Sequence, residues 1–316
     1  MPLHHFGIDI DKAALTVACH ELPGRTERVS NDAASIDAWL RRLPADSVLA
    51  VEATGACHQA LLQGAVRHDL PIYLLNPRDV RHYAESLRRR AKTDRVDAQV
   101  IARYVAHEKG NLRRYRPAPA SAAHLEQLLR RRALLAQTQA QLRLGCSDLA
   151  LPAMDHLHAS FKATLAALDE QLDALVAQDE QRARQREQLR SIPGVGPLNS
   201  LALVSLFWRL PSITPDGLIA FVGFDPRPRD SGNYRGQRRI SKRGDAETRR
   251  LGYLAAQTFA RHPVGRPLYD RYRQRGLSAT ATYVILARKI LRLAHALVSQ
   301  GTTFDPQRFA AACAGT

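Results

Sequence analysis

The 316-residue sequence has few cysteines, few aromatic residues and no long apolar run. The four cysteines, at 19, 57, 146 and 313, form no CxxC pair, which excludes a zinc ribbon or a disulfide-stapled fold. No stretch of about 18 apolar residues is present, so no membrane span is expected. The N-terminal segment MPLHHFGIDIDK lacks a basic region followed by an apolar one, so we expect no secretory signal and a cytoplasmic protein with reduced thiols.

Acidic residues are also scarce relative to basic ones. The formal net charge is +16, and residues 227–292 hold 17 basic residues against 4 acidic ones. A general bias toward arginine and alanine would spread this charge evenly along the chain. The concentration of positive charge in residues 227–292 is instead typical of a surface that binds a phosphate backbone. We therefore predict a nucleic-acid-binding protein.

The first domain, predicted over residues 1–112, alternates strand and helix patterns. The strands are expected within 5–10, 15–21, 48–54 and 71–76, and the helices within 35–43, 58–69 and from Asp94 onward. Strands that alternate with helices favour an α/β domain with a partly parallel sheet.

The middle region, residues 118–188, has no strand signal and is rich in alanine, leucine, glutamine and arginine. Large apolar side chains recur alternately every four and three residues from Phe161 to Leu175, which is the spacing of a coiled-coil seam. We predict a pair of long helices whose seam contributes to oligomerisation. The alternative is that these helices pack only within their own chain.

The third region, residues 189–316, is expected to be mainly helical. It begins with SIPGVGP, in which Gly194 and Gly196 form a turn like that of a helix-hairpin-helix element. Such a turn directs backbone N–H groups at a DNA phosphate. The alternative is a tight turn before a core helix.

Carboxylates occur at positions where a sheet of this kind gathers ligands. Asp9 and Asp11 share one face at the end of the first strand, Glu52 follows a buried apolar strand, and Asp94 and Asp97 share one helix face. Like charges that converge need a cation, and hard oxygen ligands favour Mg²⁺ or Mn²⁺. We predict a metal site made of Asp9, Glu52, Asp94 and Asp97.

Each of these acids also has an ordinary structural interpretation. Asp9 could cap a turn, Glu52 could be a solvated strand end, and Asp94 could cap a helix in which Asp97 is a first-turn acid. The metal site therefore depends on all four lying together, because no single position requires it.

A metal site alone could hydrolyse DNA with water, whereas an enzyme that conserves the energy of the broken bond in a covalent link to DNA also needs a side-chain nucleophile. Ser231, Tyr234 and Ser241 lie in the arginine-rich segment, and the residues alone do not decide between them. The basic side chains around them could stabilise the charge that develops on phosphate. These are Arg227, Arg229, Arg235, Arg238, Arg239, Lys242 and Arg243.

Four ordered motifs carry a resemblance that covers essentially the whole chain. GIDIDK, VEATGACH and AKTDRVDAQVIA resemble the ribonuclease-H-like (RuvC-like) domain of DEDD transposases, in the insertion-sequence family numbered one hundred and ten. DSGNYRGQRRISKRGD is similar to the second catalytic segment of that family. Asp11 departs from the family pattern, where a small polar residue is more common.

The resemblance implies a fold, a reaction and partners. The fold would be a RuvC-like domain, a helical coiled-coil region and a mainly α domain. Ser231, in the serine–glycine pair, would be the nucleophile, and Mg²⁺ would lie on the four acids. The partners would be donor and target double-stranded DNA, a non-coding bridge RNA that supplies base-pairing specificity, and further copies of the chain, from dimer to tetramer, in the bacterial nucleoid.

Two other functions remain compatible with the residues. A metal-dependent junction nuclease would use the acids to hydrolyse DNA and the basic segment only to hold it. A non-catalytic architectural protein would need only the basic segment, and it explains the carboxylates poorly because acids repel DNA.

Overall fold

The computed structural model describes residues 4–53, 57–87, 93–149, 151–227, 230–231, 234–236 and 238–314. The chain divides into two compact units, Met1–Pro117 and Ala118–Thr316. None of the helices in these ranges is both long enough and apolar enough to cross a membrane.

The described part of the first unit combines strands and helices, which confirms the expected α/β class. Its strands and α-helices are β1 (His4–Ile10), β2 (Ala14–Cys19), β3 (Thr26–Ser30), α1 (Ala33–Leu40), β4 (Ser47–Glu52), α2 (Gln59–Arg67), β5 (Ile72–Leu75), α3 (Pro77–Ser86) and α4 (Asp94–Glu108). Strand order in the sheet is β3-β2-β1-β4-β5, with β1 antiparallel to β2 and parallel to β4.

Alternation along the strands gives the sheet two buried faces. Ile8 and Val51 face one core together with Trp39 of α1 and Leu61 of α2. Ala50, one residue before Val51, faces a second core with α3 and α4. Because side chains alternate along a strand, Gly7 and Asp9 in β1 and Ala50 and Glu52 in β4 belong to the face that α4 covers.

Strand β3 was not predicted from the sequence. Its five residues, TERVS, bury only Val29, so the apolar alternation that identifies a strand is missing. The strand lies at the edge of the sheet, where charged residues discourage pairing with another chain.

The second unit is mostly helical, as expected. The helices are α5 (Ala120–Gly145), α6 (Pro152–Ala177), α7 (Glu180–Arg190), α8 (Pro197–Arg209), α9 (Pro215–Val222), α10 (Ala246–Arg261), α11 (Arg266–Gln274), α12 (Ala279–Gln300) and α13 (Pro306–Ala314). The core of this unit surrounds α8, and α10 and α12 pack around it.

The two long helices α5 and α6 pack against each other in opposite directions. Arg132 bonds to Asp169, and further along α5 Gln139 bonds to the His158 carbonyl, which lies earlier in α6. Leu125 and Leu172 are buried in the same core as α8. Toward the connection between the helices, Leu134, Leu144, Leu151 and Leu157 are exposed.

The described residues between 226 and 240 include pairs of short strands, where the sequence indicates only an irregular, glycine- and arginine-rich loop. β6 (Pro226–Arg227) pairs with β9 (Arg239–Ile240), and β7 (Asp230–Ser231) pairs with β8 (Tyr234–Arg235). Each strand has two residues, which is too short to show an alternating pattern. We call residues 226–240 the ribbon.

Candidate active site

Asp9 and Glu52 come together at the ends of two neighbouring parallel strands. Ile8 of β1 lies opposite Val51 of β4, and Asp9 and Glu52 are the next residues along each strand. Both belong to the face covered by α4. This register is the structural reason why two acids more than forty residues apart in the sequence are neighbours.

A glycine brings α4 close to these acids. A Cβ at Gly7 would lie 2.1 Å from the Ala102 nitrogen and 2.3 Å from the Ala98 oxygen, so the backbone of α4 lies directly on β1. Only glycine on the strand permits this approach, and the small alanine side chains on the facing side of α4 allow the helix backbone to stay in contact with the strand. Asp97 immediately precedes Ala98, so the contact sets the height of Asp97 above the sheet.

The first turn of α4 carries the other two acids. Its N-cap is Thr93, whose hydroxyl accepts a hydrogen bond from the Val96 N–H at 3.3 Å. Asp94 is therefore the first residue of the helix and not its cap, which excludes one ordinary interpretation of that aspartate. Sequence reasoning missed Thr93, although a threonine ahead of an apolar helix is a recognisable capping signal.

Asp9 responds electrostatically to all three of the other acids. The pKa of Asp9 is raised from 3.8 to about 6, first by burial and then by the charges of Asp97, Asp94 and Glu52. A carboxylate shifted in this way holds a proton more readily than usual or else needs a nearby cation. The four acids predicted from the sequence thus form one electrostatic cluster, which we call the acid cluster.

The side chains of the acid cluster are not arranged as closely as the ligands of a formed metal site. Among the residues that the structure describes, no group of three or more His, Cys, Asp or Glu side chains is arranged to hold a metal ion. Coulomb repulsion extends further than coordination, so Asp9 can sense its three neighbours at distances greater than those between metal ligands. The donor set still fits a hard cation, because it consists of carboxylates that repel one another.

Asp11, which departs from the family pattern, has a local structural role. Its carboxylate accepts hydrogen bonds from the N–H groups of Ala13 at 2.5 Å and Ala14 at 2.7 Å, and so closes the turn between β1 and β2. The bonds from Ala14 and Ala13 lower the pKa of Asp11. Asp11 therefore stabilises the turn that follows Asp9.

In the second unit, the ribbon carries Ser231. Ser231 of β7 pairs with Tyr234 of β8, and residues 232 and 233, which connect them, lie outside the described residues. Arg229 also lies outside the described residues. Arg235 of β8 lies opposite Asp230 of β7 in the strand pairing. The other basic residues predicted to bind nucleic acid are exposed: Arg227, Arg238, Arg239, Lys242 and Arg243.

Ser241 fixes the base of the ribbon. It is only 7% exposed, its hydroxyl bonds to the Asp225 carboxylate, and its N–H donates to the Asp225 carbonyl at 2.9 Å. It does not cap α10, because that cap is Asp245, which accepts from the Thr248 N–H at 2.6 Å. The buried hydroxyl has a structural partner, and this disfavours Ser241 as the nucleophile.

The Gly194–Gly196 turn is explained in part by packing. Gly194 has a φ of +88°, and a Cβ there would lie 2.5 Å from the Ala255 oxygen and 2.8 Å from the Phe259 nitrogen in α10. This close contact alone explains why the residue is glycine, whether or not the turn binds a phosphate. Gly196 is exposed and is the N-cap of α8, where no side chain caps the helix. A helix-hairpin-helix element therefore stays a prediction.

Comparison with known proteins identifies the family. A family model described as "Transposase", of the DEDD type, matches residues 6–145, and one described as "Transposase IS116/IS110/IS902 family" matches residues 186–273. Together they include the acid cluster and the ribbon. The chain belongs to this family of transposases.

Curated relatives agree with this assignment. The transposase is 26% identical over 264 residues to the "Pilin gene-inverting protein" of Moraxella lacunata, covering 81% of each chain. It is 31% identical over 152 residues to an "uncharacterized 42 kDa protein" of insertion element IS900 from Mycobacterium paratuberculosis, covering 46% of this chain and 38% of the relative. The transposase is an enzyme that recombines DNA.

Proposed function

We propose that this transposase cleaves and rejoins DNA strands through a covalent link between Ser231 and DNA phosphate, with the acid cluster as its metal-binding centre. The observation that carries the proposal is the convergence of acids from β1, β4 and α4, since the charges of Asp97, Asp94 and Glu52 all raise the pKa of Asp9. The relative named for pilin gene inversion supports recombination as the outcome rather than simple cleavage.

Asp9, Glu52, Asp94 and Asp97 would hold Mg²⁺ or Mn²⁺. A bound ion would supply Lewis-acid polarisation of the phosphate and neutralise charge that develops on its oxygens. The chain's contribution is to place these carboxylates through the β1–β4 register, the Gly7 contact with α4 and the Thr93 cap.

The reaction has two balanced transesterifications. The Ser231 oxygen forms a bond to phosphorus as the bond to one deoxyribose oxygen breaks; the serine loses its proton, and the leaving hydroxyl gains one. A hydroxyl of the new partner strand then attacks the same phosphorus and releases Ser231, with the protons moving in reverse. No bond energy is lost to water, so the strands can be joined without another energy source.

The exposed basic residues of the ribbon would bind the phosphates of donor and target DNA. Gly194 and Gly196 would add backbone N–H contacts at the start of α8, where the exposed Gly196 leaves the helix end open. A non-coding bridge RNA would provide target specificity by base pairing, as the resemblance to the family implies. The exposed leucines of α5 and α6 would join copies of the chain into a dimer or tetramer.

The test is a search for the covalent adduct. Purified transposase, with its co-purifying RNA and Mg²⁺, is incubated with labelled DNA carrying the flanks of its own gene, and the products are separated on a denaturing gel. We expect a protein–DNA adduct and recombinant product from the unaltered chain. Ser231→Ala and Asp97→Asn should abolish both, while Tyr234→Phe should retain them.

The alternative function is a RuvC-like junction nuclease that hydrolyses DNA, because an acid cluster alone suffices for metal-dependent hydrolysis. That enzyme would give cleaved DNA without an adduct, and Ser231→Ala would cleave normally. An adduct of normal yield from Ser231→Ala would also refute the assignment of the nucleophile.

A further inference from the structure

A row of residues extends from the acid cluster to the edge of the sheet. Thr16 of β2 lies directly opposite Asp9 of β1, and Arg28 of β3 lies directly opposite Thr16. Residues directly opposite one another in a sheet project from the same face. Glu52, Asp9, Thr16 and Arg28 therefore form a line across four strands, on the side where α4 lies.

The outer part of this line borders an open groove with a volume of about 540 Å³. The start of α4 forms its other wall, and Arg95 of that helix donates a hydrogen bond to the Gly24 carbonyl in the turn between β2 and β3. Asp94 belongs both to the groove and to the acid cluster, so the two are continuous. The residues lining the groove are Thr16, Thr26, Glu27, Arg28, Thr93, Asp94 and Arg95.

Apart from the Asp94 carboxylate, which belongs to the acid cluster, the side chains available to a ligand in this groove are hydroxyls and the guanidinium group of Arg28. Glu27 lies opposite Val17, which faces the other core, and its carboxylate is paired with Arg42. Arg28 is exposed, and in the described part of the chain no ion pair neutralises it, although its charge contributes to lowering the pKa of Asp11. Hydroxyl and guanidinium groups are typical contacts of phosphate oxygens.

We propose that this groove binds the phosphodiester backbone of the DNA strand that runs away from the phosphate at Asp9, with Arg28 and Thr16 as its main contacts. The proposal rests on the proposed function, since it concerns the strand that the acid cluster would act on. An arginine at an edge strand also discourages aggregation, but any charged residue on either face would serve that purpose.

The experiment measures binding of the full-length protein to a labelled single-stranded oligodeoxynucleotide of mixed sequence, in EDTA, by fluorescence anisotropy over a series of salt concentrations. Loss of one phosphate contact reduces the slope of log K against log salt by about 0.7 for a single strand. We expect Arg28→Gln to reduce the slope by this amount and Arg28→Lys to preserve it. Thr16→Val should weaken binding without changing the slope, because it removes a neutral contact.

The matched control is Arg41→Gln. Arg41 is also an exposed arginine of the first unit, but it follows α1, which packs on the opposite face of the sheet. Its substitution should leave the slope unchanged. Equal slopes for Arg28→Gln and Arg41→Gln would overturn the proposal, as would an effect of Arg28→Gln on single-stranded RNA of the same sequence but not on DNA.

This assay separates the groove from the proposed function, because it involves no reaction. If Ser231→Ala abolishes the adduct while Arg28→Gln binds DNA with an unchanged slope, only the groove is refuted. If Arg28→Gln reduces the slope but Ser231→Ala still forms the adduct, the groove stands and the nucleophile is wrong.

Discussion

Replacing Asp9 by asparagine should stabilise the metal-free protein while removing its activity. The charged Asp9 carboxylate is disfavoured in the folded state, where burial and the charges of Asp97, Asp94 and Glu52 raise its pKa to about 6. Asparagine has nearly the same shape and no charge, so it relieves the repulsion without leaving a cavity. Stabilisation combined with inactivation is expected of a residue placed for function at a cost in stability.

The size of the effect follows from the pKa. A rise from 3.8 to about 6 corresponds to ~3 kcal/mol at full strength. Asp9 is only half-buried, and solvent screening reduces this to about 1.5 kcal/mol. Below pH ~4 the carboxyl is protonated in both the folded and unfolded states, and above pH ~6 it is charged in both. The penalty therefore develops as pH rises through this window, so the native protein loses stability there and Asp9→Asn does not.

Urea unfolding of the first unit can be followed through Trp39, which is buried in its core. The chain has two tryptophans, so a Trp208→Phe background leaves Trp39 as the reporter. Unfolding is measured in EDTA at pH 4 and pH 7.5, with and without Asp9→Asn. We expect a small difference between the two proteins at the lower pH and a gain of about 1.5 kcal/mol for the variant at the higher pH.

Asp11→Asn is the matched control, because it makes the same chemical change two residues away. The N–H bonds from Ala14 and Ala13 lower the pKa of Asp11, so its charge is favoured in the folded state. The substitution should not stabilise the protein at pH 7.5. If Asp9→Asn were neutral or destabilising there, or if Asp11→Asn stabilised equally, the acid cluster would not exist as described.

Three further substitutions test the supports of the two sites. Gly7→Ala should destabilise the first unit by at least ~2 kcal/mol, because its Cβ would meet the Ala102 nitrogen at 2.1 Å; urea unfolding measures this. Thr93→Ala should cost about 1 kcal/mol through loss of the helix cap and should lower recombination further than Asp11→Asn does, as measured by product yield. Ser241→Ala should destabilise the protein by ~1–3 kcal/mol, because it leaves the Asp225 carboxylate without its hydroxyl partner. The protein that remains folded should still form the DNA adduct, which a denaturing gel would show.

The sequence was most informative where local periodicity coincides with structure. The apolar strands that end at Ile10 and Glu52 were predicted because buried residues dominate them, and the mostly helical second unit followed from its composition. β3 and the ribbon were missed because charged edge strands and two-residue strands lack a periodic signal.

The candidate site shows the same division. The residue types and spacing of Asp94 and Asp97 identified two acids on one helix face, but their approach to Asp9 depends on Gly7 and Ala98, a contact between distant segments. The role of Asp11 and the burial of Ser241 likewise became clear only from the tertiary structure. The local sequence does not distinguish a free carboxylate or hydroxyl from one that is hydrogen-bonded.

The sequence by itself determined the class of each region, the basic charge of the C-terminal half and the acids and hydroxyls available for chemistry, because these depend on composition and local spacing. Tertiary structure alone decided which of them meet. The β1–β4 register aligned Asp9 with Glu52, the Gly7 contact set Asp97 above them, and the β1–β2–β3 ladder put Thr16 and Arg28 in line with Asp9. Strand register and close packing arise from interactions between distant segments, and no local pattern encodes them.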